Sequence, residues 1–263
     1  MSIASPSLSR LKVLYENAEY TYFHSLPLEH FMEATDHAEQ RMITIESFAI
    51  IRAERSDIHF FNELLIQYPL GDDDYKPGQV VPDNFVALSA EPLDVDRSYN
   101  LPLQPVGPFL TMEYVSQHNK RKDYVENYRK YEFELKVPYY LLFYPHNQAL
   151  NVYRMEGDRY VGVKPNAAGR LEIPELELEV AVLDNWVRYW FRKELVPLPD
   201  ELVQALNLVK NQLLVVKDQL EASEEQFQMV QTELNRERQF CEAMEAELAK
   251  MKAELDRLRG NQS

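Results

Sequence analysis

Two short apolar segments, VVPDNFVAL at residues 80–88 and PFLTMEYV at residues 108–115, decide how this chain folds. Both are rich in the branched and aromatic residues that favour strands, and each carries one acid at its edge, Asp83 or Glu113. The polar, basic and helix-forming sequence SQHNKRKDYVENYRKY follows at residues 116–131. The pattern predicts two neighbouring strands that project their carboxylates together, and such a pair is typical of a cation site.

The composition indicates a globular protein. With 263 residues, of which 45% are hydrophobic and 11% aromatic, the chain can bury a substantial core, so at least one globular domain is expected. The single cysteine excludes a disulfide framework, and no segment has the roughly 18 apolar residues of a membrane span. The N-terminal sequence MSIASPSLSR lacks the charged and apolar regions of a secretory signal. We therefore expect a cytoplasmic protein with no membrane partner.

The formal net charge of −15 argues against a generic surface for binding polyanions, because neutralising phosphates requires lysines and arginines close together. A local basic patch nevertheless follows Glu113. Its members are Lys120, Arg121, Lys122, Arg129 and Lys130. This patch is a candidate surface for DNA, and the alternative is a solvated helix start with ordinary surface charge.

The remaining segments up to residue 195 predict an α/β architecture. Residues 28–55 have a helical period with one broad apolar face, residues 58–70 read as one or two strands, and GDDDYKPG at 71–78 reads as a loop. Residues 1–27 have no clear period and are interpreted as an N-terminal arm.

A helix is expected from about residue 120 to 135, and the nearly continuous apolar run VPYYLLFYP at 137–145 is typical of a central strand buried on both faces. Residues 147–163 then predict a hairpin, and two further strands close the domain near Lys193. This order gives a mixed central sheet flanked by helices.

Four short motifs occur in this order along the chain. They are Pro82-Asp83; Glu113-Tyr114-Val115-Ser116; Asp123 followed by Asn127 and Tyr131; and Val137-Pro138-Tyr139-Tyr140. Together they resemble the PD-(D/E)XK nuclease superfamily, and most closely its Uma-two branch of bacterial proteins similar to restriction endonucleases. The resemblance covers about residues 28–195 and implies a restriction-endonuclease-like domain, which in this branch is often followed by a C-terminal coiled coil.

The resemblance also implies a chemistry. Asp83 and Glu113 would hold Mg²⁺, with Mn²⁺ as the other candidate, aided by a backbone carbonyl near Tyr114, and the ion would activate a water that attacks a DNA phosphodiester. A lysine normally orients this water, but its usual position, two residues after the glutamate, is Val115 here. In this branch the lysine often lies four residues after the aspartate that corresponds to Asp123.

That second position is Asn127, which can orient a water but brings no positive charge. Lys130, Lys120 and Lys122 are the nearby substitutes. Lys130 is favoured because it lies seven residues after Asp123, about 20° from it on the helical wheel. The alternatives are a nuclease-fold protein that binds nucleic acid or a protein without cutting, and a scaffold.

Residues 201–259 predict a coiled coil after the proline-containing linker at residues 196–200. Apolar residues recur at alternating intervals of four and three, interrupted only by Ser223 and Glu237, over about eight heptads or roughly 85 Å. The residues expected to carry the association are Leu213, Leu220, Phe227, Leu234, Leu248 and Leu255.

A lone helix would leave this seam in water, whereas burying each large apolar side chain is worth about 1.5–3 kcal/mol. We therefore expect a homo-oligomer, most simply a parallel homodimer, although the mixture of residue types at the seam does not fix the number of strands. Folding back onto the globular domain is the alternative, which the narrow seam disfavours. Two nuclease domains held by one coil would be able to cut both strands of a duplex.

Overall fold

The computed structural model describes residues 7–26, 35–70, 73–115 and 122–260, and its internal contacts divide the chain into the units Met1–Pro199 and Asp200–Ser263. The helices are α1 (Leu8–Ser25), α2 (Thr35–Glu54) and α3 (Pro199–Gly260). Residues 122–134 form a further helical segment, largely of the π type, which we call the site helix.

Thirteen strands are present in the described part of the first unit. They are β1 (Ile58–Asn62), β2 (Leu65–Leu70), β3 (Asp73–Val80), β4 (Asn84–Leu88), β5 (Ser98–Asn100), β6 (Pro108–Tyr114), β7 (Tyr139–Tyr144), β8 (Ala149–Glu156), β9 (Arg159–Gly162), β10 (Leu171–Ile173), β11 (Leu178–Leu183), β12 (Trp186–Phe191) and β13 (Glu194–Leu195).

The central sheet has six strands in the order β1-β4-β6-β7-β8-β9. Its β6–β7 pair is parallel and its other pairs are antiparallel, so the sheet is mixed, as predicted. The site helix forms most of the crossover between β6 and β7, which a parallel pair requires. The apolar run of β7 is buried on both faces, as expected for a strand in the middle of the sheet. The α/β architecture with a mixed central sheet and a long C-terminal helix is thus confirmed.

Each face of the central sheet has its own apolar core. One face packs against α2 and the four-stranded sheet β10-β11-β12-β13, and its core includes Phe48, Val86 and Tyr189. The other face packs against the three-stranded sheet β3-β2-β5 and the site helix, and its core includes Phe85 and Tyr131. The second face is the one that carries the candidate site.

The predicted loop at residues 71–78 is wrong for most of its length, because β3 begins at Asp73 and pairs with β2 in antiparallel register. The acids, Pro77 and Gly78 favour a loop in the sequence, but β3 is an edge strand, where charges and proline are tolerated. Gly78 is required by close packing, since a Cβ there would lie 2.4 Å from Cε2 of Tyr68.

Helix α1 lies within the predicted N-terminal arm and contacts the three-stranded sheet. The side-chain amide of Gln67 donates to the Tyr15 carbonyl at 2.9 Å, and that of Gln79 donates to the Ala18 carbonyl at 3.2 Å. Ser98 Oγ donates to the buried carboxylate of Glu19 at 2.5 Å. These bonds hold α1 against the sheet that covers the site face.

The second unit is the single helix α3, which has 62 residues and so spans about 93 Å at 1.5 Å per residue. All its described side chains from residue 202 to 255 are exposed. None of the helices described is both long enough and apolar enough to cross a membrane.

Candidate active site

The two predicted acids come from neighbouring strands of the central sheet. Asp83 directly precedes β4, and Glu113 lies in β6, the antiparallel neighbour of β4. The register pairs Asn84 with Met112, so its continuation by one residue sets Asp83 opposite Glu113. Residues at such facing positions have Cβ atoms about 4.5–5.5 Å apart.

The two acids also lie on the same face of the sheet. Side chains alternate along a strand, so Asp83 shares a face with Phe85, and Glu113 shares a face with Val115. Phe85 and Val115 belong to the same apolar core, between the central sheet and the site helix. The structure therefore brings Asp83 and Glu113 together.

Asp83 is held by the backbone and by a cation. The backbone N–H of Tyr114 donates to its Oδ2 at 2.5 Å, and Nη2 of Arg41, from α2, lies 3.6 Å from its Oδ1. The same Nη2 forms an ion pair with Glu63 at 2.8 Å, and the Glu63 N–H donates to the Asp83 carbonyl at 3.1 Å. Pro82 has no N–H, which suits the position before a strand.

Glu113 is buried, with 4% of its surface exposed, and the site helix supplies hydrogen-bond donors to its carboxylate. Its Oε1 accepts hydrogen bonds from Asn127 Nδ2 at 2.8 Å and from the Tyr131 hydroxyl at 2.7 Å. These donors are four residues apart, the spacing that places two side chains on one face of a helix. These two hydrogen bonds to one oxygen fix the orientation of the carboxylate and offset the cost of burying it.

Both acids affect the pKa of the Tyr131 hydroxyl. Burial raises the pKa of Tyr131 well above its ordinary value, and the negative charges of Glu113 and, more weakly, Asp83 raise it further. The phenol therefore stays protonated and remains a hydrogen-bond donor to Glu113.

Asn127 supplies a third oxygen to the site. Its Nδ2 donates to Glu113, while its buried Oδ1 has no hydrogen-bond partner among the residues that the structure describes. A buried acceptor without a donor is costly, and a water or a cation would satisfy it. Two carboxylates and an amide oxygen form an all-oxygen donor set, which fits a hard ion such as Mg²⁺ or Mn²⁺.

No group of three or more His, Cys, Asp and Glu side chains placed to hold a metal occurs in the described ranges.

A buried polar network lies beneath the strand ends that carry the acids. The Tyr114 hydroxyl donates to Asn84 Oδ1 at 2.6 Å and contacts Thr44 Oγ1 at 2.7 Å, which in turn lies 2.9 Å from the Tyr189 hydroxyl. Asn84 also donates to Asn62 Oδ1 at 3.1 Å. The network ties α2, β1, β4, β6 and β12 together and so limits movement of the two acids.

The predicted basic residues are placed differently from the acids. Lys130 Nζ donates to the Gln79 carbonyl of β3 at 3.0 Å, and Arg129 is exposed. Lys120 and Arg121 lie outside the described residues, as does the side chain of Lys122. Asn127 and Tyr131 both donate to Glu113 Oε1.

Sequence reasoning gave no role to two residues that contact the acids, Tyr131 and Arg41. Tyr131 had a local signal, because it follows Asn127 by four residues and should share its helix face. Arg41 had no local sequence signal, since its contact with Asp83 joins two segments that are far apart in the chain.

Replacing Tyr131 with phenylalanine removes one of the two donors to Glu113 Oε1. We expect the free energy of unfolding to fall by about 1–3 kcal/mol, the cost of leaving a buried charged acceptor less satisfied. Urea denaturation followed by circular dichroism would measure the change. Tyr20→Phe is the control, because this substitution also removes a tyrosine hydroxyl, but at a position that is 65% exposed. Equal stabilities for the two variants would contradict the role assigned to the Tyr131 hydroxyl.

Comparison with known proteins finds a matching family and similar solved structures. A family model described as "Uma2: Putative restriction endonuclease" matches residues 31–184, more than half of the 263 residues. The chain is similar to a crystal structure described as "a putative nuclease belonging to DUF820" from Anabaena variabilis ATCC 29413. The identity is 18% and the TM-score 0.46, and the alignment covers 59% of this chain and 82% of that one. No curated protein matches the chain.

Proposed function

Because this chain belongs to the Uma2 family, we propose that it is a metal-dependent endonuclease that hydrolyses phosphodiester bonds in DNA. The observation that carries the proposal is the placement of Asp83 and Glu113 on one face of the sheet at facing positions of adjacent strands. The buried Oδ1 of Asn127, which lacks a hydrogen-bond partner in the described part of the chain, supports it, since it adds an oxygen beside Glu113.

Each residue of the site has a proposed role. Asp83 and Glu113 would hold Mg²⁺ or Mn²⁺, which when bound lowers the pKa of a water and offsets charge on the scissile phosphate. Asn127 holds Glu113 through Nδ2, and its Oδ1 is able to accept a hydrogen bond from the attacking water. Tyr131 keeps the Glu113 carboxylate in one orientation.

Positive charge at the site would come from two sides. Arg41 contacts Asp83, so its guanidinium is close enough to reduce the repulsion between the carboxylates and a phosphate. Lys130 and Lys120 remain the candidates for steadying the charge that develops on the phosphate. The proposed contacts to the DNA backbone are Lys120, Arg121, Lys122 and Arg129.

Self-association through α3 would supply two sites. The proposed homodimer buries the predicted seam residues, each of which is about half or more exposed in the single chain. Each site would cut one strand, so two sites in one assembly would cut both strands of a duplex.

A catalytically degenerate protein is the second candidate function. Val115, at the usual position of the catalytic lysine, is 1% exposed and part of the apolar core, and Asn127 is uncharged. A chain without that lysine would bind a nucleic acid or a protein through the same surface without cutting it.

Incubation of the purified protein with supercoiled plasmid DNA tests the proposal. We expect nicked and linear products with Mg²⁺ or Mn²⁺, and none after chelation with EDTA. Retarded migration of intact DNA at every ion concentration would select the degenerate function instead. Neither cleavage nor binding of DNA would contradict both.

A further inference from the structure

Helix α3 carries a continuous seam of exposed apolar residues in two alternating heptad positions. Position a holds Leu206, Leu213, Leu220, Phe227, Leu234, Cys241, Leu248 and Leu255, and position d holds Leu202, Val209, Val216, Ser223, Val230, Glu237, Met244 and Met251. The large apolar members of both positions are between 45% and 67% exposed. A seam of this length and exposure indicates a surface that another helix covers.

We propose that a second copy of this chain covers the seam, parallel to the first and in register. This inference rests on the self-association in the proposed function and adds the relative direction of the two α3 helices. In a parallel pair, position g of one helix faces position e of the following heptad in the other. Glu233 then faces Arg238, and Glu247 faces Lys252, each pair formed twice by symmetry.

No g–e pair between residues 205 and 252 brings like charges together in this alignment. The remaining pairs combine a neutral residue, most often glutamine, with a neutral or charged one. Because like charges that face each other suppress wrong partners, their absence favours this direction and register.

The acid within the seam points to the same arrangement. Glu237 occupies position d, so in the parallel pair it faces Glu237 of the second copy in one layer. Arg238 of each chain borders that layer, so two guanidinium groups balance the two carboxylates. The fully overlapping antiparallel alignment instead sets Glu237 against Leu220 and Lys210 against Lys252. Burying a carboxylate against leucine is unfavourable.

The antiparallel alignment also forms opposite-charge pairs, Lys217 with Glu245 and Glu224 with Arg238. These positions are exposed, and exposed ion pairs contribute little to stability. The same limit applies to Glu233 with Arg238 and to Glu247 with Lys252, so the parallel direction rests on the absence of facing like charges at positions e and g and on the layer of Glu237.

The direction has a consequence for the proposed nuclease. In a parallel pair the two helices begin side by side at Pro199, so both globular units are attached at the same end of the coil. In an antiparallel pair the attachment points would be about 90 Å apart. The parallel pair thus keeps two proposed sites close enough to act on one stretch of duplex.

The chain carries its own probe of this direction, because Cys241 is its single cysteine and lies at position a. Copper(II)-phenanthroline with oxygen removes two electrons and two protons from a facing pair of thiols and leaves a disulfide. We expect the full-length protein to give a covalent dimer of twice 30.9 kDa on a non-reducing gel. In the antiparallel alignment Cys241 faces Val216, and this dimer would not form.

Two variants complete the experiment. Gln239→Cys in a Cys241→Ser background puts the thiol on the far side of the helix, and we expect at least a tenfold lower yield of dimer. Val216→Cys in the same background, mixed with wild type and allowed to exchange, gives a mixed disulfide only if the helices are antiparallel. That mixed product, without the wild-type dimer, would overturn the proposal. A monomer by light scattering would overturn self-association itself, and DNA cleavage by that monomer would leave the nuclease proposal intact.

Discussion

Alanine at Asp83 or at Glu113 is expected to abolish the ion-dependent cleavage of DNA. The loss should be at least about 10²-fold, because even outer-shell partners of a metal ligand typically cost 10–100-fold when removed. Each acid supplies a carboxylate at facing positions of β4 and β6, and the other acid alone provides too few ligands to hold a divalent ion. The measurement is the initial rate of plasmid nicking at fixed Mg²⁺ or Mn²⁺.

Glu113 is buried and hydrogen-bonded, so its alanine variant is also at risk of unfolding. Glu113→Gln keeps the shape and an oxygen that Tyr131 can donate to, and Asp83→Asn does the same for the Tyr114 N–H. Both should fold as judged by circular dichroism, yet bind Mn²⁺ at least about tenfold more weakly in a titration. Glu126→Ala, an exposed acid on the site helix, is the matched control and should cleave normally. Wild-type cleavage by the Asp83 and Glu113 variants would refute the metal site.

The double substitution Leu213→Glu and Leu220→Glu should convert the self-associated protein to a monomer. It removes four large apolar side chains from a two-chain seam, a loss of about 6–12 kcal/mol at 1.5–3 kcal/mol each, and adds like charges in their place. Light scattering should then give 30.9 kDa instead of a multiple of that mass. Cleavage should shift from linear product to nicked circles, because a monomer has one site.

The matched control for the seam is Asn211→Glu with Gln239→Glu. Both residues lie on the far side of α3 from the seam, so these substitutions add the same charge without entering it. The control should keep the wild-type mass. An unchanged mass for the Leu213 and Leu220 variant would show that this seam does not hold the chains together.

Much of the fold was predictable because its strands are short and strongly apolar. The branched and aromatic residues of segments 80–88 and 108–115 indicated β4 and β6, and the unbroken apolar run at 137–145 indicated β7. Side chains alternate along each strand, so the register that sets Asn84 opposite Met112 decides that Asp83 and Glu113 share a face. The local pattern therefore located both acids, and the pairing of the strands was needed to bring them together.

Features set by tertiary position were not predictable in the same way. Strand β3 has the acids, proline and glycine of a loop, and its edge position beside β2 makes that composition compatible with a strand. The contact of Arg41 with Asp83 depends on how α2 crosses the end of β4, which no local pattern encodes. Lys130 was favoured from the helical wheel, and its Nζ donates to the Gln79 carbonyl of β3, a contact that the wheel does not predict.

The full exposure of α3 has a bearing on where a polyanion can approach this protein. Acidic residues outnumber basic ones along Pro199–Gly260, so two such helices side by side form a negatively charged rod. The net charge of the rod would repel DNA, more strongly at low ionic strength. DNA would then bind the globular units in preference to the C-terminal helices.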